Sequence, residues 1–69
     1  MDRYERAKKR AEKKVEQISD ELLRDAAICQ VLNFCMKAND VKSAEKLFHQ
    51  LQTTMIKRTV MSEHPIFRG

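Results

Sequence analysis

Residues 28–36 read ICQVLNFCM, seven apolar residues in nine, interrupted only by Gln30 and Asn33. Wound as a helix at about 100° per residue, the segment sends Ile28, Val31, Phe34 and Cys35 one way and Cys29, Leu32 and Met36 another. A helix at the surface of a globular fold carries one apolar stripe. This segment carries two, so the fold turns on what covers the second.

On the N-terminal side, apolar residues recur at Tyr4, Ala7, Ala11, Val15, Ile18, Leu22, Ala26, Cys29, Leu32 and Met36 in steps of three and four. That is the stripe of a long amphipathic helix. Lys37-Ala38-Asn39 ends it, because Lys suits a last turn and Asn tolerates the left-handed conformation that closes helices. Asp40 then suits the N-cap of a second helix, with its stripe at Val41, Ala44, Leu47, Phe48, Leu51 and Met55. Ser62-Glu63-His64-Pro65 stops that helix after about Met61.

The expected fold class is all-α, an antiparallel helical hairpin with a long N-terminal helix. Helices of about 2–38 and 40–61 form one domain over 1–61, and 62–69 is a C-terminal tail whose Ile66 and Phe67 are able to dock back. Ile18-Ser19-Asp20-Glu21-Leu22 carries a helix-start signal. A kink near Ser19, or a break giving three helices (about 2–18, 20–38 and 40–61), is therefore the alternative.

Composition agrees with a helical chain. Sixty-nine residues with one Gly, one Pro and no Trp offer few turns for a sandwich or barrel. With 35% charged and 42% hydrophobic residues, the chain is too apolar for a disordered segment. A core of this size barely outweighs the entropy of ordering the chain, so outside help is expected. The charged first eighteen residues and the lack of an apolar run near spanning length point away from a signal peptide or transmembrane helix, and toward a cytoplasmic setting. Cys29 and Cys35, six apart on one helix, point too far from each other to bridge and read as small apolar fillers. His49 and His64 do not stand at metal-ligand spacing from them, and no cofactor is expected.

The hairpin leaves apolar surface over. Leu23, Ala27, Ile28, Val31, Phe34 and Cys35 lie outside the main stripe, and the second helix buries only one face. Burying each large side chain is worth about 1.5 to 3 kcal/mol, so four left wet would forgo stabilisation comparable to a small domain's whole margin. A folded-back N-terminal helix, the Ile66-Phe67 tail, a second copy or a different protein would each serve as cover. The favoured expectation is an intermolecular contact through Leu23, Ile28, Val31, Phe34 and Cys35.

Charge is uneven, with net +3 over residues 1–18, −1 over 19–38 and +2 over 39–61. On the N-terminal helix Asp2, Glu5, Glu12 and Glu16 fall on one side of the stripe, and Arg3, Arg6, Arg10, Lys13 and Lys14 on the other. That ridge suits an acidic partner helix or nucleic-acid phosphates. A plainer account is a solvated helix steadied by Asp2–Arg6 and Glu5–Lys9 pairs. Tyr4 is the only interleaved aromatic, which weakens the case for base stacking. The spacing of seven along Tyr4, Ala11, Ile18 and Leu32, and along Val15, Leu22, Cys29 and Met36, also fits a coiled-coil seam, which Asp25 interrupts.

No set of residues suggests catalysis. Ser19, Ser43 and Ser62 sit at caps or polar faces, and no nucleophile, base and oxyanion donor converge. Glycine-rich phosphate loops are missing, and no small-molecule substrate is expected.

From Ile28 to Val60 the chain resembles one pentatricopeptide or tetratricopeptide-type helical hairpin repeat. The likeness rests on Lys37-Ala38 at the turn, Ala44 in the second helix, and Leu47-Phe48 followed by Leu51. It departs at Asn39, where the family has a turn glycine, and at Arg58, in place of the usual proline. Such repeats work as arrays, so the resemblance implies a partner for a single copy. In size and shape alone the chain is similar to the helical-hairpin co-chaperones of bacterial type III secretion. The expected function is thus a small adaptor or co-chaperone that binds another protein or itself, without catalysis. The alternative is a nucleic-acid-binding helical protein using the basic ridge.

Overall fold

The computed structural model describes residues 2–68, and these form helices with no strand among them. The elements are α1 (Arg3–Glu16), α2 (Glu21–Lys37), α3 (Val41–Gln50) and α4 (Thr54–Glu63), followed by a 3₁₀ turn at Pro65–Arg68. Each of the two expected rods, 2–38 and 40–61, is thus divided in two.

The first division follows the start signal near Ser19, but the cap is Asp20. Its carboxylate accepts a hydrogen bond from the Leu23 amide at 2.9 Å, while Gln17 and Ile18 close α1 through bonds to Lys14 and Val15 carbonyls. The α2–α3 turn follows the expected chemistry. Asn39 adopts φ 63°, the Asn39 amide bonds the Met36 carbonyl and the Asp40 amide bonds the Cys35 carbonyl. This is a Schellman closure. Asp40 then caps α3 through the Ser43 amide.

The second division has no local breaker. At Leu51 the chain turns extended (φ −66°, ψ 137°), and the new N-cap, Thr53, makes no side-chain capping bond. The free amides are met from another helix. Asp25 of α2 accepts hydrogen bonds from the Gln52 and Thr53 amides at 2.9 and 2.6 Å. The residue expected to interrupt a coiled-coil seam is instead fully buried and caps α4.

Helix directions follow from these pairs. Tyr4 packs on Phe34 (ring centroids 5.3 Å apart) while Val15 and Ile28 line one cavity, so α1 runs antiparallel to α2. By the same reasoning α3 is antiparallel to α2. Asp25 at the start of α4 and Asn33, 2.7 Å from His64 at its end, make α4 parallel to α2.

The doubly apolar helix therefore lies in the middle. Its Ile28 lines a depression with Val15 of α1 and its Cys35 lies against Tyr4 of α1, Val31 and Leu32 belong to the same core as Ala44, Leu47 and Leu51, and Asn33 and Met36 face the end of α4. Val60 anchors α4 in the same core. The tail docks through Phe67, which stacks on Phe48 with centroids 5.0 Å apart.

Candidate interaction surface

The five apolar residues expected to meet a partner do not form one surface. Ile28, Val31 and Cys35 are 1%, 7% and 0% exposed, whereas Leu23 and Phe34 are 63% and 39% exposed. The difference is their position relative to α1. Helix α1 supplies Val15, Tyr4 and Ala11 to the core cluster and covers the Ile28–Val31–Cys35 flank. Both thiols are free, Cys29 half-buried and Cys35 buried. Burial pushes each of them above the ordinary cysteine range.

Met55, expected in the stripe of the second helix, and Ile66, expected to dock back with the tail, are exposed. What remains open on α2 is its outer face. Leu23, Ala27, Gln30 and Phe34 follow a four-three-four spacing along it, and of these only Ala27 and Phe34 lean on neighbours, Ala27 against the core and Phe34 on Tyr4. Leu22, at 60% exposure, is also open at the start of the helix, about 100° round its axis from Leu23.

The basic residues are all exposed on α1: Arg3, Arg6, Arg10, Lys13 and Lys14, joined by Lys9. Among the described residues the ion pairs are Lys8–Glu5 and Lys8–Asp40, so these six cations are unpaired. The pairs expected from spacing, Asp2–Arg6 and Glu5–Lys9, do not form. Asp2 instead accepts from the Glu5 amide as the cap of α1, and Glu5 turns to Lys8.

α1 is held in place at its start by a polar cluster that spacing alone does not reveal. The Tyr4 hydroxyl donates to Asp40 Oδ2 at 2.6 Å, and Lys8 Nζ donates to the same oxygen at 3.2 Å and to Ser43 Oγ at 3.0 Å. These bonds shift the groups in opposite directions. Burial, then the bond to Asp40, pushes the Tyr4 hydroxyl far above the ordinary tyrosine range. The hydrogen bonds from Tyr4 and Ser43 hold the Asp40 carboxyl far below the carboxylate range, outweighing burial. At Asp25 burial alone would raise the carboxyl, but the bonds from Thr53 and Gln52 prevail and keep it low.

Acid should therefore loosen the fold. Carboxylates with folded pKa values below the unfolded value of about 3.9 contribute stability that is complete above that value and lost as pH falls through the folded values. Thermal melts followed by circular dichroism should be flat from about pH 7 to 5 and fall steeply below about pH 4. Asp40→Asn should lower the neutral-pH midpoint and shrink the acid fall. An unchanged acid limb in that variant would remove Asp40 from the account.

Compared with known proteins, the chain matches no family model, no curated protein and no solved structure. In this structure residues 28–60 hold most of α2, all of α3 and the larger part of α4, so the stretch resembling one helical repeat carries a third helical piece. Among the described residues no helix is long and apolar enough to cross a membrane, and no three His, Cys, Asp or Glu side chains cluster as metal ligands do.

Proposed function

We propose that the protein is a small non-catalytic interaction module, an adaptor or co-chaperone, that binds another protein through the outer face of α2. The observation that carries this reading is the exposure of Leu23 and Phe34 along one face of a helix whose opposite face is buried in the core. Large side chains left open beside a finished core mark an association surface more often than a packing failure. Ile28, Val31 and Cys35 take part only as the packing beneath that face, and Leu23 and Phe34 make the contact. The exposed cations of α1 steer an acidic partner toward it.

A nucleic-acid reading draws on the same cations. Of the aromatic rings, Phe34 is the one exposed on this face, and it already leans on Tyr4, whose hydroxyl is held by Asp40. Stacking platforms for bases are therefore scarce, and protein is the better-supported partner.

A photo-crosslinking residue placed at Gln30, exposed in the middle of the strip, tests the reading in the cell. A discrete protein adduct should form from position 30 and not from Lys57 on α4, and Leu23→Asp with Phe34→Asp should abolish it. Adducts to nucleic acid, or equal labelling from both positions, would refute the proposal.

A further inference from the structure

We infer that the partner element is an acidic amphipathic helix, seated with its apolar side over Leu23, Ala27 and Phe34 and its carboxylates along Arg3, Arg10 and Lys14. The inference rests on the protein-binding reading above and adds the chemistry of the occupant.

Two flanks of α1 differ. One faces α3, since Lys8 bonds Ser43 and Asp40, and Glu5 and Glu12 line a depression with Lys46 and Leu47. The opposite flank carries Arg3, Ala7, Arg10 and Lys14, again at a four-three-four spacing. α1 rests on α2, so that flank borders the outer face of α2. The 5.3 Å contact between Tyr4 and Phe34 fixes the border at one end. The antiparallel run then sets Arg3 beside Phe34 and Lys14 toward Leu23.

The result is an apolar strip with a cationic edge. No acid of α1 lies on that flank: Glu5 and Glu12 face α3, Glu16 lines a depression with Leu47 and Gln50 of α3, and Asp2 is engaged as a cap. With all three edge cations unpaired, the complementary surface is one with carboxylates along a single side. Its length is set by α2, 17 residues or about 25 Å at 1.5 Å per residue. Anchors repeating every three or four residues match the teeth of a helix, which fills the groove beside two neighbouring helices as a third.

The test uses the full chain, labelled with ¹⁵N, and four probes. The first is a peptide of about 20 residues with Leu at positions i, i+4, i+7 and i+11 and Glu beside them. The second is the same peptide with each Glu changed to Lys. Polyuridine of similar length and phosphatidylserine vesicles complete the set. The acidic peptide should shift amides within residues 3–14 and 23–34 and bind at least about tenfold more tightly than the Lys form. The triple variant Arg3→Glu, Arg10→Glu, Lys14→Glu should reverse that preference, and Leu23→Asp should weaken both peptides. All four positions are exposed, so circular dichroism should stay that of the folded chain.

Equal binding of the two peptides at this face overturns the acidic partner while leaving the face a protein-docking site. Saturable binding of polyuridine or vesicles, with no peptide response, overturns both readings. Silence from all four probes overturns the present inference, whereas the wider reading then stands or falls with the adduct at position 30.

Discussion

Asp25→Ala is expected to lower the thermal midpoint by about 10 to 20 °C and to fray the start of α4. The carboxylate is fully buried, yet it is the acceptor for the Gln52 and Thr53 amides, which no side chain of α4 satisfies. The two amide bonds are worth about 1 kcal/mol each, and a donor left buried and unpaired costs up to about 3 kcal/mol. Water reaches the exposed Gln52 and softens that second cost. A total of about 2 to 3 kcal/mol is a large part of a small domain's margin, and each kcal/mol moves the midpoint by about 4 to 8 °C at this size. One effect opposes it: Asp25 Oδ1 is buried without a partner, so removing the charge also relieves some desolvation. Asp25→Asn, which keeps an acceptor oxygen, should fall between the two. Asp25→Leu separates the terms, since it keeps the volume and discards the charge. A leucine variant as stable as the wild type, with amide exchange at residues 52–56 unchanged, would show that the cap contributes nothing.

Asp25 also shows why the sequence was only partly legible. Read along one helix it is an acid in an apolar stripe, which looks like a fault in a seam. Its partners lie in the break between α3 and α4, 27 and 28 residues away. The break at Leu51 was hidden for the same reason. Leu51-Gln52-Thr53-Thr54 holds neither Gly nor Pro, and the amides that end the helix are satisfied from a distance. Where the signal was local it could be read: Asn39 closes α2 in the left-handed conformation, and Asp40 caps α3. The acids after Ser19 did begin a helix, one residue later than the serine.

The covering of α2 failed to show for a subtler reason. The apolar stripe from Tyr4 to Met36 passes the loop at Gln17–Asp20 without losing phase, and phase carries no information about direction. A straight rod and a chain that doubles back give the same spacing. The Tyr4, Ala11 and Val15 residues counted as the start of one long stripe are, after the reversal, part of what lies over Ile28, Val31 and Cys35. The apolar excess was legible. That α1 answers part of it, and leaves Leu23 and Phe34 open, required the turn.

That division of labour makes Val15→Asp the second large effect. Val15 is the one buried residue of α1, and its cavity is shared with Ile28. A carboxylate at this buried position gives up its water; Arg24 and His49 line the same depression and offset part of that, yet the burial would still cost several kcal/mol, more than the Tyr4 and Lys8 bonds at the other end contribute at about 1 kcal/mol each. The expected response is that α1 swings off about the Gln17–Asp20 loop while α2, α3 and α4 keep their mutual packing. Ile28 and Val31 then become wet, at about 1.5 to 3 kcal/mol each, and the chain should associate in a concentration-dependent way on light scattering. Cys35 provides the local readout. It is fully buried beneath α1 in the native fold and should react with a thiol reagent at least about tenfold faster in the variant, with half-buried Cys29 as the internal reference. The measurement separates detachment from global unfolding: detachment exposes Cys35 while helix content falls by no more than α1 itself supplies, whereas unfolding frees both thiols and abolishes the α2–α4 signal. A Cys35 that stays protected in a monodisperse Val15→Asp chain would mean that α3 and α4 shield it unaided, and that α1 is an attachment to the core and not its lid.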